Sequence, residues 1–163
     1  MDGNGRWAKA KGFPRVMGHR QGAESLREIV KECGRLKIPV LTVYAFSTEN
    51  WQRPQEEVSY LMNLLSEVLQ TELDTLHNEG VKIVPIGQME DLPKGVREQV
   101  EHAAGLTANN NRLKLNMAIS YGGRQEIIFA IEKLLACLAK GEQVAPTMAS
   151  ISNNLYTAGD PDP

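Results

Sequence analysis

The sequence has little of what marks secreted, membrane-spanning or nucleic-acid-binding proteins. Its two cysteines, Cys33 and Cys137, have no CxxC spacing and predict two buried thiols in a reducing compartment rather than a disulfide framework or metal site. No apolar run approaches the roughly twenty residues of a membrane-spanning helix, and no signal-peptide pattern is visible. With 18 Lys and Arg against 20 Asp and Glu, the chain lacks the positive surplus of an electrostatic nucleic-acid binder. These scarcities predict a cytoplasmic globular protein.

What the chain does contain is an alternation of strand-like and helix-like segments. Its 163 residues are 42% hydrophobic, enough for the core of one domain. Continuous apolar runs predict strands, and apolar residues at helical spacing predict helices between them. The predicted strands span 39–47, 81–87 and 112–121, and the predicted helices cover 26–36, 57–77, 93–106 and 127–138, with a short one capped by Thr147. We therefore expect a single α/β domain, with a central, mostly parallel sheet and helices on both faces. The first strand is expected to be buried on both faces.

Three polar clusters occur where ligands collect in such folds. Ligands of parallel sheets bind at the carboxyl ends of the strands, where loops meet helix N-termini. The clusters are DGNGRW at 2–7, STENWQR at 47–53 and SYGGR at 120–124. Their places in the chain predict one site that is assembled from separated segments.

The first cluster has the composition of an anion-binding loop. Gly3 and Gly5 would let backbone N–H groups turn toward an anion, and Arg6 adds donors suited to phosphate oxygens. Asp2 makes sense beside an anion if Mg²⁺ bridges its carboxylate and a phosphate. The alternative is a glycine-rich turn with a surface aspartate and arginine.

A run of basic residues continues from this loop. A solvated basic face is the usual explanation of such a run, but a polyanionic ligand accounts for it better beside the glycine loop. A single histidine within it is more often structural than phosphate-binding. The run consists of Lys9, Lys11, Arg15, His19 and Arg20.

The second cluster supplies a hydroxyl, an amide and a guanidinium, from Ser47, Asn50 and Arg53. These groups could orient a reacting group and stabilise a departing phosphate. Trp51 could instead cover the edge of the core. The helix predicted at 57–77 is rich in Leu and Met on a wide face, which is typical of core packing and also suits an apolar cleft for a hydrocarbon.

Two common nucleotide motifs are absent or weak. GxxxxGK[ST] does not occur, and Gly3, Gly5 and Ala8 match only the relaxed dinucleotide spacing GxGxxA. No strand is predicted before that loop, and Glu24 and Glu28 lie in a helical pattern rather than at a strand end. A nucleotide-dependent oxidoreductase therefore remains a weak alternative.

Taken together, four segments resemble the cis-prenyltransferase family in order and spacing. They are MDGNGRWA, the GHRQGA stretch after Arg15, LTVYAFSTENWQRP with Glu57 behind it, and LNMAISYGGRQEI. Enzymes of this family extend an allylic diphosphate, typically farnesyl diphosphate, with isopentenyl diphosphate. The resemblance implies the same elongation here, toward a long polyprenyl diphosphate such as the lipid carrier of cell-wall synthesis.

The resemblance also implies roles for individual residues. Asp2 would bind Mg²⁺ with the diphosphate and assist catalysis, and Asn50 would act in the proton-removal step with Ser47 nearby. Whether Asp2 is a base or only a metal ligand stays open. Arg53 would bind phosphate, while Ala45, Trp51 and the Leu-rich helix would surround the hydrocarbon. Positions matching those that hold the allylic diphosphate are Gly3, Asn4, Gly5, Arg6, Arg15 and His19, and Trp7 is also expected to bind substrate.

Further expectations follow from where the family pattern is incomplete. The family has a short strand before the glycine loop and continues past PDPD into an RTSGE-like segment, so residues 1–163 are expected to be one incomplete isoprenyl transferase domain. The absent segment would carry arginines for isopentenyl diphosphate, a metal-binding glutamate and part of a homodimer interface. Peripheral contact with the inner face of the membrane, through the lipid product, is also expected. A non-catalytic partner subunit is the alternative, although Asp2, Asn50 and Arg53 are retained.

Overall fold

The computed structural model describes residues 3–161, which form six α-helices and a three-stranded sheet. The helices are α1 (Asn4–Ala10), α2 (Arg15–Arg35), α3 (Gln55–Asn78), α4 (Lys94–Leu106), α5 (Gly123–Ala139) and α6 (Met148–Ser152). The strands are β1 (Val40–Ser47), β2 (Val81–Ile86) and β3 (Leu113–Tyr121). Short 3-10 helices follow β1 at Thr48–Gln52 and β2 at Met89–Asp91. The predicted α/β class is confirmed.

The sheet is entirely parallel, with β3 in the centre of the order β1-β3-β2. Alternate residues of β3 join one core with α2, α3 and α4, and its fully buried Leu113 and Ile119 anchor that core. Asn116 and Ala118 of β3 are buried as well and point to the other face of the sheet. A central strand with both faces covered explains why residues 113–120 read as an apolar run.

The outer edge of β2 is closed by α4. The backbone N–H of Ile83 donates to Thr107 Oγ1 at 3.0 Å, and this hydroxyl in turn donates to the carbonyl of Ala103 at 2.8 Å. Thr107 is completely buried, so its hydroxyl gives a hydrogen-bond partner to a backbone N–H at the edge of the sheet that is shielded from water.

The prediction that β1 is buried on both faces is wrong. Among residues 3–161, β1 lies at the edge of the sheet, and Thr42 and Tyr44, on the face opposite Val43, are exposed, Tyr44 to 60%. Its apolar composition reflects the face that packs on the core through Val43 and Phe46. Cys137 is likewise only half-buried, whereas Cys33 is buried as predicted, and neither forms a disulfide.

Helix α1 was not predicted, because seven residues are too few to show a helical period. It begins after Gly3, whose φ of 86° favours glycine, and it packs closely on α2. A Cβ at Gly18 of α2 would lie only 2.0 Å from the carbonyl oxygen of Asn4, so this close approach requires glycine. The contact brings the glycine loop against the first turns of α2.

Candidate functional site

The first two polar clusters meet at the mouth of one cavity of about 770 Å³, between α2, α3 and the carboxyl end of β1. The two ends of this cavity differ in chemistry. The mouth is lined by Gly3, Asn4, Gly5, Arg6, Lys9, Arg15, His19, Ser47, Asn50 and Arg53. The floor is lined chiefly by Ala23, Leu26, Val43, Ala45, Phe46, Leu61, Leu64, Leu65, Val68 and Met117.

The mouth is strongly cationic. Four arginine or lysine side chains line it, and no aspartate or glutamate among residues 3–161 does so. They come from α1 and the start of α2 on one side, and from the segment before α3 on the other. Cations gathered in a concave site attract an anion with several oxygens, such as a diphosphate.

Behind the mouth lies Glu57, a carboxylate shared by three of these side chains. Its Oε1 lies 3.4 Å from Arg15 Nη2, 3.2 Å from His19 Nε2 and 2.8 Å from Arg53 Nη1. The side chains of Glu57 and His19 are 14% and 10% exposed. Arg53 lies just before α3 in an extended conformation, Glu57 lies in the first turn of α3, and the chain between them brings the two side chains into contact.

Burial and charge shift the pKa values of this pair. Burial lowers the pKa of His19 below its usual 6.5, although the hydrogen bond to Glu57 raises it in part. Burial alone would raise the pKa of Glu57, but the His19 hydrogen bond and the charges of Arg15 and Arg53 outweigh it and lower the pKa. At neutral pH, therefore, His19 is a neutral donor through Nε2–H, and Glu57 is an anion.

Ser47 and Asn50 are held by the 3-10 helix that follows β1. The Ser47 backbone N–H donates to Asn50 Oδ1 at 3.1 Å, and the Ser47 side chain accepts from the Asn50 backbone N–H. This reciprocal cap fixes both side chains at the cavity wall. The NH₂ group of the amide is the hydrogen-bond donor of the Asn50 side chain.

Trp51 and Trp7 do not line the cavity in the described part of the chain. Trp51 packs on Phe46, with ring centroids 4.7 Å apart, and its Nε1–H donates to Ser120 Oγ at 2.9 Å. Ser120 Oγ donates to Asp91 Oδ2 at 2.7 Å, so Trp51 ties the segment after β1 to the sheet. Trp7 is 38% exposed, and the Lys11 ammonium lies over its ring.

The third polar cluster is not part of this cavity. Arg124 lines a separate cavity of about 540 Å³ beside α5, with Gln88 and Tyr156 among its other wall residues. From the basic run, Arg20 pairs with Glu67 of α3 and lies outside the lining of the mouth.

A magnesium site is not formed by the described residues alone. Residues 3–161 contain no cluster of three or more histidine, cysteine, aspartate or glutamate side chains that could hold a metal ion. Among the cavity-lining residues, the side-chain oxygen atoms are those of Asn4, Tyr44, Ser47 and Asn50. Asp2, the predicted metal ligand and catalytic residue, lies outside the described residues. The Mg²⁺ prediction therefore depends on Asp2 together with phosphate oxygens.

Comparison with known proteins assigns the chain as a whole to one family. Residues 1–163 match the family model described as "Putative undecaprenyl diphosphate synthase". The chain belongs to this family. Isoprenyl transferases from Heliobacterium mobile and Clostridium tetani are 54% and 46% identical to it over its entire length. The chain spans 64% and 65% of their own lengths.

Solved structures show the same fold. Lavandulyl diphosphate synthase from Lavandula x intermedia, in complex with dimethylallyl diphosphate, aligns with a TM-score of 0.91 and 28% identity, over 96% of this chain and 68% of that one. A probable undecaprenyl diphosphate synthase from Campylobacter jejuni aligns with a TM-score of 0.73 and 30% identity, over 83% of this chain and 64% of that one. The family membership removes the support for the oxidoreductase alternative, which rested on glycine spacing only.

Proposed function

We propose that this protein is an isoprenyl transferase that condenses isopentenyl diphosphate onto an allylic diphosphate. The observation that carries the proposal is the division of one cavity into a cationic mouth and an apolar floor. A prenyl diphosphate has the same division, since a doubly phosphorylated head is joined to a hydrocarbon. The cavity is large enough for a drug-sized ligand, and a fifteen-carbon chain such as that of farnesyl diphosphate suits its floor.

The described residues suggest how the first substrate is held. Arg6, Arg15 and Arg53 would bind the diphosphate oxygens, and their positive charge would stabilise the negative charge that develops as diphosphate departs. The apolar floor would bury the hydrocarbon and exclude water from the carbocation-like carbon at its head. When bound through Asp2, Mg²⁺ would further neutralise the leaving diphosphate.

The second half of the reaction requires loss of a proton from the newly joined isopentenyl unit. An amide is too weak a base to accept this proton, so Asn50 is proposed to orient the acceptor rather than to be one. Its fixed amide and the Ser47 hydroxyl stand at the carboxyl end of β1, where head groups would meet. The released diphosphate or Asp2 is the candidate acceptor.

The direct test is product formation by the natural protein that contains this chain. It is incubated with farnesyl diphosphate, ¹⁴C-isopentenyl diphosphate and Mg²⁺, and the products are separated by chain length. We expect labelled polyprenyl products several isoprene units longer than the primer. A folded protein that yields no labelled prenyl product would overturn the proposal, and would favour a non-catalytic partner subunit.

Assembly and location are part of the same proposal. Residues 3–161 include no helix that is both long and apolar enough to cross a membrane. We propose a homodimer in the cytoplasm that contacts the inner face of the membrane as its lipid product leaves. Exposed apolar side chains on α5, among them Ile128 and Leu135, support a protein contact on that helix. Light scattering after gel filtration tests the dimer: a monomer at micromolar concentration would contradict it.

A further inference from the structure

We propose that Glu57 is a positioning residue for the diphosphate head group. Its carboxylate holds Arg15, His19 and Arg53 in the arrangement that receives the anion, without itself contacting the ligand. The inference rests on the proposed function, in that it takes the cationic mouth as the diphosphate site. This role explains why a carboxylate lies buried among the cations of the mouth, although its negative charge alone would oppose anion binding.

The geometry places Glu57 behind the binding groups rather than among them. Arg15, His19 and Arg53 line the cavity, whereas Glu57 does not. All three approach the same oxygen, Oε1, at distances of 2.8 to 3.4 Å. Two of them come from the first turns of α2 and the third precedes α3, so one carboxylate connects the two sides of the mouth.

Three cationic or polar donors need such a support to converge. Like charges repel, and arginine side chains lose rotamer freedom when they are ordered. Arg15 is 60% exposed, so solvent alone would leave its guanidinium several conformations. A guanidinium has five N–H donors in a rigid fork, so one can bind Glu57 while others face the cavity.

His19 is positioned by the same oxygen. Its Nε2 lies 3.2 Å from Glu57 Oε1, and the low exposure of both side chains shields that bond from water. Because Nε2–H donates to Glu57, the plane of the imidazole is set by the carboxylate. The neighbouring groups that act on this ring are the guanidinium groups of Arg15 and Arg53.

A positioning role and a purely electrostatic role of Glu57 predict opposite changes in diphosphate affinity when its negative charge is removed. If Glu57 acted only as a negative charge near an anion site, its neutralisation would strengthen diphosphate binding. If it orders the three donors, its neutralisation weakens binding, because the ordering must then occur at the expense of binding energy. The sign of the change therefore distinguishes the two.

The experiment measures the affinity for inorganic pyrophosphate in the presence of Mg²⁺ by isothermal titration calorimetry. Wild type is compared with Glu57→Gln and with Glu57→Asp, which keeps the charge but withdraws it by one methylene. The matched control is Glu67→Gln, which removes the same charge from α3 and likewise breaks an ion pair to α2, through Arg20. Arg20 does not line the cavity, so this control leaves the mouth intact.

We expect Glu57→Gln to weaken pyrophosphate binding about 10-fold, Glu57→Asp to weaken it less, and Glu67→Gln to leave it within 2-fold of wild type. In an Arg53→Ala background the effect of Glu57→Gln should shrink, because one of the groups that it positions is gone. A purely structural role would instead lower the melting temperature equally in both backgrounds and leave the affinity of the folded protein unchanged.

Unchanged or tighter binding by folded Glu57→Gln would overturn the inference. If that variant does not fold, Glu57→Asp decides the matter, and affinity equal to wild type in a folded Glu57→Asp protein would overturn it. Failure of the wild type to bind pyrophosphate is a different result, since it contradicts the proposed function itself.

Discussion

The mouth and the floor of the cavity are built in different ways. The mouth consists of long charged side chains from three chain segments, held in place by ion pairs and by a helix cap. The floor consists of apolar side chains that belong to the same packed layer as the core of α2, α3 and β1. The contrast teaches that head-group binding depends on orientation and charge, whereas tail binding depends on shape. Substitutions should therefore separate the two.

The largest effect is expected from loss of a cation in the mouth. Arg53→Ala removes a guanidinium that both contacts Glu57 at 2.8 Å and lines the cavity. Charge-assisted hydrogen bonds contribute about 2–3 kcal/mol, so kcat/KM for the allylic diphosphate should fall about 100-fold. Steady-state kinetics check this, with Arg112→Ala as the control, because Arg112 bonds to the carbonyl of Glu79 away from the mouth. Equal losses in the two variants would contradict a specific role.

A bulky side chain in the floor should produce a smaller loss of affinity. It should weaken binding of the hydrocarbon rather than binding of the diphosphate. Ala23→Phe would fill part of the apolar space beside Leu26 and Leu64. We expect the affinity for farnesyl diphosphate to fall about 10-fold while pyrophosphate binding stays unchanged, since only the hydrocarbon loses space. Calorimetry with both ligands measures this. Ala108→Phe, at an exposed position just after α4, is the control. A parallel loss of pyrophosphate binding would show that mouth and floor are not separable.

The contribution of α1 to the mouth of the cavity can be tested at its contact with α2. Gly18→Ala places a Cβ about 2.0 Å from the Asn4 carbonyl oxygen, so α1 must move away from α2. Overpacking of this kind costs about 1–3 kcal/mol, and the shift carries Arg6 and Lys9 out of place. Urea unfolding and pyrophosphate titration check it, and Gly105→Ala is the control because a Cβ there meets nothing within 4 Å. Unaltered affinity would indicate that α1 contributes little to the head-group site.

The smallest expected effect is the dependence of stability on pH. The pKa of Glu57 is lowered in the fold, so its contribution is present at neutral pH and is lost as the pH falls below its usual value of 4.5. The pKa of His19 is also lowered, so the unfolded chain binds its proton more readily and stability declines as the pH drops below 6.5. The unfolding free energy should therefore decrease from pH 7 to pH 4.

Chemical denaturation at each pH measures this decline. His19→Gln should flatten the part between pH 7 and 5, and Glu57→Gln the part below pH 5. His102→Gln, at an exposed position of α4, should leave the curve unchanged. A pH curve that stays the same in the His19 and Glu57 variants would assign the pH dependence to other groups.

Much of the fold could be predicted because it depends on local patterns. The apolar runs at 81–87 and 112–121 and the helical spacing at 57–77 correspond to β2, β3 and α3 with shifts of only one or two residues. The exposure of Tyr44 on β1 could not be predicted, because which face of a strand becomes covered is a tertiary property. Helix α1 depends on the close contact of Asn4 with Gly18, which no local period reveals.

Some features of the candidate site could likewise be predicted from the sequence, and others could not. The sequence motifs predict that Arg15, His19, Asn50 and Arg53 share one site, and the structure brings them to one cavity. The role of Glu57 as the shared partner of Arg15, His19 and Arg53 could not be predicted, because two of these three side chains come from α2. Arg124 could not be assigned to its separate cavity, because that depends on how α5 leaves β3.

The measurement that tests the central claim most directly compares three ligands of the same protein. Inorganic pyrophosphate, farnesol and farnesyl diphosphate are titrated calorimetrically in the presence of Mg²⁺. The two-part cavity predicts that farnesyl diphosphate binds at least about 100-fold more tightly than either half, because one molecule engages mouth and floor together. Farnesyl diphosphate that binds no more tightly than pyrophosphate would contradict the account.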